Sequence, residues 1–272
     1  TSNYFEQEIT FQYSDIVVLI SKAEKQHYIS FGYDKYEAIP HVIYNSYKPK
    51  LDTDPWRPNY ELNDIGYIGR HVPRKRPDLP IFAVEKSGRK DVRVFNMGVD
   101  YKGEQGNPFW EDLGRKHPKQ LVIIPFSSNR ETAHFYWKSI GANSITGIYE
   151  PFGYTMCETL DRRVSAIVQN IDGPSEITAN VQDSVFVYEV DQDFDKDVDN
   201  FLVATNNFWD THADDRQAMA EHARTALDDF RPEVIKLKWK EILLNAQPRK
   251  IAGLATDQKS QKTTKGYGGY GN

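Results

Sequence analysis

Short, β-branched apolar runs alternate along this chain with segments of helical pattern, and that alternation constrains the fold more than any other feature. The run Ile16 to Ile20, preceded by Asp15, is too short for a helix and reads as a buried strand. Ser21 follows at an N-cap position with Glu24 three residues on, a capping-box spacing. The predicted helix runs from Ala23 to about Phe31, where Gly32 can end it, and the next strand spans Ala38 to Tyr44. Asn45, Pro49, Pro55 and Pro58 give the stretch 45–60 a linker composition.

A second unit starts near residue 64. Ile65 to Gly69 reads as a strand, followed by a basic loop, Arg70-His71-Val72-Pro73-Arg74-Lys75-Arg76. Helices are predicted around 78–87, 108–116, 130–140 and from 154, and strands at 92–97, 120–124, 143–149, 165–169 and 184–188. Two C-terminal helices, 213–229 and 233–245, complete the pattern, with Pro232 suited to the first turn of the second. The expectation is an α/β fold: a Rossmann-like parallel sheet with helices on both faces. The domain reading is 1–55 as a remnant of an N-terminal domain with its linker, 56–230 as the Rossmann-like domain, 231–245 as a C-terminal helix, and 246–272 as a disordered basic tail. That tail ends Gly266-Tyr267-Gly268-Gly269-Tyr270-Gly271-Asn272 and reads as a solvated terminus or as a contact for nucleic acid or an anionic surface.

Composition narrows the function classes. Lys plus Arg is 34 against 39 for Asp plus Glu, a net charge of −5, which argues against a charge-driven nucleic-acid binder. The 39% of apolar and 13% of aromatic residues suffice for a core. The lone cysteine, Cys157, forms no internal disulfide, which favours a reducing, cytoplasmic setting, and no apolar run is long enough for a transmembrane segment. The chain opens on Thr1, which reads as a processed form or a fragment.

Two places carry chemistry. In a parallel sheet, ligands bind beyond the carboxyl ends of the strands. The basic loop leaves such an end and would set Arg70, Arg74, Lys75 and Arg76 over the crevice, a grip for phosphate or diphosphate. By itself it reads equally as a solvated basic turn. The second place is Tyr149-Glu150-Pro151-Phe152-Gly153-Tyr154-Thr155-Met156-Cys157-Glu158. Gly153 permits close backbone approach, the N–H groups of the following helix favour an anion, and Glu150 and Glu158 can each accept two hydroxyls. Its bland reading is a helix start with ordinary acidic residues.

At these residues the chain resembles the retaining glycosyltransferases of family 4, which have the GT-B fold. Glu150-Pro151-Phe152-Gly153-x-Thr155-x-x-Glu158 is similar to that family's donor-binding signature, and Gly69-Arg70 with Lys75 five residues later to its Gly-Arg…Lys. Ser14 to Ser21, then Ile43-Tyr44-Asn45, resembles the end of its N-terminal domain; Gly173-Pro174-Ser175-Glu176 sits where the family has a Gly-rich turn closing on Pro-Glu. The resemblance covers roughly 10–245. It implies a GT-B donor domain plus the last part of a truncated N-terminal Rossmann-like domain. It implies that Arg70 and Lys75 hold the diphosphate of a UDP- or GDP-sugar, and that Glu150 binds the transferred sugar. Backbone N–H groups at Phe152, Gly153, Tyr154 and Thr155 would meet sugar and distal phosphate, and Glu158 the ribose. The implied reaction is glycosyl transfer with retention and without a metal or other cofactor. The acceptor, a glycan, a lipid or modified DNA, is not readable. An alternative is a nucleotide-sugar-binding module, inactive without a partner chain that supplies the acceptor domain; another is an α/β enzyme for a different phosphorylated ligand. The chain departs from the family at Arg163, where Gly is usual, and at Ser46 after Asn45.

Other signals are discounted. Asp191-x-Asp193-x-Asp195 has Lys196 where a calcium loop needs Gly and Leu202 where it needs Glu, so it reads as a solvated acidic loop. His71 reads as structural or solvated, His134 with Phe135, Tyr136 and Trp137 as core or groove packing, and Cys157 as a small buried residue.

Overall fold

The structure, a computed structural model, describes residues 10–36, 39–50, 57–100, 108–125, 127 and 129–246. The tail expected over 246–272, but for Ala246, and the domain boundary expected at 55 lie outside them. Two strands, β1 (Ile16–Leu19) and β2 (Ile39–Val42), pair in parallel through helix α1 (Lys22–Ser30). Ser21 Oγ accepts from the Glu24 N–H as expected, while the Glu24 carboxylate reaches back to the Ile20 N–H. This unit has its own small core of Val17 and Tyr28, with Phe11, Leu19 and Tyr33 packed against it.

The larger sheet is six-stranded and wholly parallel. Its strands are β3 (Ile65–His71), β4 (Val94–Asp100), β5 (Leu121–Pro125), β6 (Ala142–Ile145), β7 (Ser165–Gln169) and β8 (Phe186–Tyr188), in the order β5-β4-β3-β6-β7-β8. The order reverses between β3 and β6, so the crevice of a doubly wound sheet opens beyond their carboxyl ends. One face is covered by α2 (Leu79–Ser87), α3 (Pro108–Lys116) and α7 (Phe194–Asp210), which bring Leu79, Leu113, Phe201 and Phe208 onto Ile65, Val94 and Ile167. The other is covered by α4 (Arg130–Ser139), whose Tyr136 and Trp137 meet Phe95 and Met97, and by α5 (Tyr154–Asp161), whose Met156 and Leu160 meet Ile145 and Val168. Full burial of each such side chain is worth about 1.5–3 kcal/mol. Helices α6 (Asp172–Ile177), α8 (Ala213–Ala223) and α9 (Pro232–Asn245) follow the later strands. The fold is the expected one: a Rossmann-like parallel sheet with helices on both faces.

Several local expectations are corrected. The acidic run 191–195 opens a 17-residue helix, α7, rather than a solvated loop. Asp193 is its N-cap and accepts from the N–H groups of Asp195 and Lys196 at 3.0 and 3.2 Å. At the far end of α7, the Trp209 indole donates to the Asn63 carbonyl (3.0 Å), and Arg216 of α8 binds the carbonyls of Tyr60 and Leu62. The helix expected over 213–229 stops at Ala223 and tightens to a 3₁₀ turn over Arg224–Phe230. Strand β3 runs on to His71, so Arg70 and His71 belong to the sheet rather than to a loop. Strand β6 ends at Ile145, four residues early, because 146–148 turn aside to bind the basic loop. His134 and Phe135 face outward, and only Tyr136 and Trp137 of that quartet are buried. Arg163, where the resemblance expects Gly, takes a left-handed backbone (φ 56°), held by Glu221 and by the Tyr60 hydroxyl on its carbonyl.

Candidate functional site

A cavity of about 250 Å³ occupies the switch point, lined by Arg70, Lys75, Glu150, Tyr154 and Thr155 above the ends of β3 and β6. Three stretches of chain build it. From β3, Tyr67 donates its hydroxyl to the Arg70 carbonyl (2.9 Å) and fixes the strand end. A 3₁₀ turn, Pro73–Lys75, then lifts Lys75 into the cavity, where its ammonium pairs with the Glu150 carboxylate. Burial lowers the Lys75 pKa, Glu150 opposes that shift, and Arg74 and Arg70 add to it.

The second stretch leaves β6. Thr146 donates its hydroxyl to the Lys75 carbonyl (2.7 Å), and the Ile148 N–H donates to the Arg74 carbonyl (2.9 Å). Gly147 lies between them at φ 127°, where a Cβ would stand 2.8 Å from the Arg74 carbonyl oxygen. This glycine, which no local sequence pattern marked, permits the close approach of the two loops. The third stretch is the start of α5. Gly153 is its N-cap at φ 103°, with no side-chain cap, and the first intrahelical bond is Cys157 N–H to the Gly153 carbonyl. The N–H groups of Tyr154, Thr155 and Met156 therefore stand outside the helical ladder, at the positive end of the helix dipole beside the cavity.

Glu150 is pinned through its backbone. Its N–H donates to the Asp172 carboxylate (3.0 Å), and its carbonyl accepts from the Gly173 N–H (3.0 Å). Asp172 adopts φ 52°, and burial raises its pKa. Neither feature was legible as part of the site, since Asp172 lies 22 residues along the chain.

Arg70, Lys75, Glu150, Tyr154 and Thr155 thus share one cavity. The Phe152 side chain is buried in the core against Phe230, leaving only its backbone near the site. Glu158 lies one turn further along α5, outside the cavity lining; burial raises its pKa, and Lys50 is the first cation opposing that shift. Two of the four expected crevice cations point elsewhere. Arg74 binds the Tyr149 carbonyl at 3.2 Å. Arg76 turns to the opposite side of the loop, into a buried pair with Asp197. There it borders a second cavity of about 360 Å³ that includes His71, Asp78, Trp110 and Phe194. His71 itself is structural, its Nε2 2.6 Å from Asn96 Oδ1 and its ring on Trp110. Cys157 is fully buried, and burial pushes its thiol pKa up.

The N-terminal unit docks beside this site. The Glu176 carboxylate accepts from the N–H groups of Lys22 and Ala23 (2.9 and 2.8 Å), so a residue of α6 caps α1, and it also takes the Tyr44 hydroxyl (2.7 Å). Among the described residues, no group of three His, Cys, Asp or Glu side chains is placed to hold a metal, and no helix is long and apolar enough to cross a membrane.

No protein-family model and no curated protein matches the chain in sequence. Solved structures do match in fold. The pneumococcal O-GlcNAc transferase GtfA, in complex with UDP and GlcNAc, aligns with TM-score 0.70 at 12% identity, over 90% of this chain and 48% of that one. Sucrose-phosphate synthase from Thermosynechococcus elongatus gives TM-score 0.69 at 15% identity, over 88% and 60%. TarM gives 0.66 at 17% identity, over 89% and 46%. The chain therefore spans about half of the length of the structures it matches, and shares with them a GT-B, Rossmann-like fold of parallel sheet and flanking helices.

Proposed function

We propose that this chain is the donor-binding part of a nucleotide-sugar-dependent glycosyltransferase of family 4 that retains anomeric configuration. The observation that carries the reading is the shared cavity: two cations on the exit of β3 face a carboxylate and an uncapped helix N-terminus on the exit of β6. Arg70 and Lys75 bind the diphosphate, and the N–H groups of Tyr154 and Thr155 take the distal phosphate. Glu150 accepts hydroxyls of the transferred sugar. Glu158, one helical turn away, takes the ribose. GtfA was solved with UDP and GlcNAc, a nucleotide and a sugar of the kind this arrangement would hold.

The chemistry follows from the charges. As the bond between sugar and phosphate breaks, negative charge accumulates on the departing diphosphate. Cations and amide dipoles already aimed at that position stabilise it without reorganising. Lys75 is paired with Glu150; a bound diphosphate competes for the ammonium and frees the Glu150 carboxylate for hydroxyls. No step calls for a metal. The β1–α1–β2 unit is the closing portion of an acceptor domain. A glycan, a lipid or modified DNA would be read by the rest of that domain, in the same chain or a partner.

Calorimetric titration with UDP, GDP, ADP and their glucose or mannose conjugates, with and without magnesium, tests the reading. Selective, magnesium-independent binding of one diphosphate and its sugar conjugate is the expected result. Binding of none of them overturns it. Binding of a nucleotide-sugar without turnover, until an acceptor-domain chain is added, identifies the alternative, a binding module.

A further inference from the structure

The basic loop has a second anchor, on the side away from the cavity. Arg76 is buried, and its backbone is left-handed (φ 43°), a conformation a non-glycine residue keeps only when its surroundings fix it. Its guanidinium donates to the Asp191 carbonyl (2.6 Å), to the Gln192 carbonyl (3.0 Å) and to the Asp197 carboxylate. Asp197 is fully buried on the first turn of α7, and its other oxygen accepts from the Asp191 N–H (3.0 Å). The Phe194 ring lies 5.7 Å from the guanidinium. Lys75 and Arg76 are consecutive residues at the end of a three-residue turn closed by the Lys75 N–H on the Val72 carbonyl and the Arg76 N–H on the Pro73 carbonyl. Fixing Arg76 behind the loop fixes where Lys75 emerges in front of it.

We propose that Asp197 is a positioning residue for diphosphate recognition: through Arg76 it sets the 72–76 turn that presents the Lys75 ammonium to the cavity. The inference rests on the reading of that cavity as a diphosphate site. Asp197 touches no ligand itself. Its position on α7, more than a hundred residues beyond the loop, makes the N-terminus of that helix part of the donor machinery.

Two measurements on the full chain test it. The first is hydrogen–deuterium exchange without ligand. Asp197→Asn should speed exchange of the amides at 72–76. Asp193→Ala, which removes the cap of the same helix without touching Arg76, should not. The second is the affinity for whichever of UDP, GDP or ADP binds, set against its own nucleoside. Asp197→Asn should weaken the diphosphate roughly tenfold or more, as displaced catalytic groups do, and leave the nucleoside unchanged. Arg76→Lys keeps the charge but loses the fork, and should give the same split if Asp197→Asn does not fold. Unchanged exchange at 72–76 in both Asp197→Asn and Arg76→Lys overturns the proposal whatever the ligands do. Unchanged diphosphate affinity in these variants, while Lys75→Ala weakens it, overturns the proposal and leaves the donor reading standing. Unchanged affinity in Lys75→Ala as well removes the donor reading, and the proposal with it.

Discussion

Lys75 and Arg76 are neighbours in the chain, each meets a carboxylate, and the two pairs are built differently. The Lys75–Glu150 pair is a point charge against one carboxylate at the wall of a cavity, with side chains 12% and 22% exposed. The Arg76–Asp197 pair is 9% and 0% exposed, and the guanidinium also holds two backbone carbonyls. The front pair can exchange partners, because an ammonium on a flexible stem can follow a phosphate. The rear pair is the more deeply buried, and there removing one charge strands the other. One loop thus separates a contact made to be broken from a contact made to persist, although both arise from the same basic run.

The largest effect that would sharpen this contrast is on stability. Asp197→Ala should cost about 3–5 kcal/mol, the range for orphaning a buried charge, while Lys75→Ala, which leaves Glu150 at the wall of a cavity, should cost less; denaturant unfolding of both variants checks it. Equal losses would erase the distinction. Binding should rank in the opposite sense to folding. Lys75→Ala should lower diphosphate affinity by about 1.5–3 kcal/mol, the worth of a charge-assisted hydrogen bond, read by calorimetry. Glu150→Gln should weaken a nucleotide-sugar more than the bare nucleotide, since only the sugar calls on that carboxylate. Equal losses for both ligands would take Glu150 out of its role. The front pair should also respond to alkali. Lys75 has a lowered pKa, and the diphosphate needs it protonated, so affinity should fall at a pH below that of an ordinary lysine near about 10.4.

The smallest effect concerns Asp172. Burial raises its folded pKa, so the folded protein holds that proton more tightly than the unfolded chain does. This contribution is complete below the ordinary carboxylate pKa of about 3.9 and is lost as pH rises through the raised value. Asp172→Asn keeps an acceptor for the Glu150 N–H and tolerates the left-handed backbone. Its melting temperature should gain on the parent's between about pH 4 and neutrality, and the gain should vanish in acid. A constant difference across that range would mean that the carboxyl charge is irrelevant there.

The sequence made the sheet and the front of the site legible because both rest on local pattern. Buried parallel strands are short apolar runs, and Gly153 with the acids around it marks a helix start open to a ligand. Direction was not legible. A charge run names four cations but not which way each faces, and Arg74 and Arg76 are turned by partners 75 and 121 residues away. Helix α7 escaped notice for a related reason. Its first turn is acidic enough to pass for a loop, while Val198, Phe201, Thr205 and Phe208 carry the helical spacing behind it. The capping of α1 by Glu176 depends on residues more than 150 apart and leaves no trace in local spacing.

Helix α7, 17 residues long, extends about 25 Å at 1.5 Å per residue. One end grips Arg76 at the mouth of the sheet, and the other holds the carbonyl of Asn63, just before the chain enters β3. Entrance and exit of β3 are therefore bridged by a single helix. One helix thus joins the segment that leads into β3 to the turn that leaves it, much as a tie rod joins two ends of a frame.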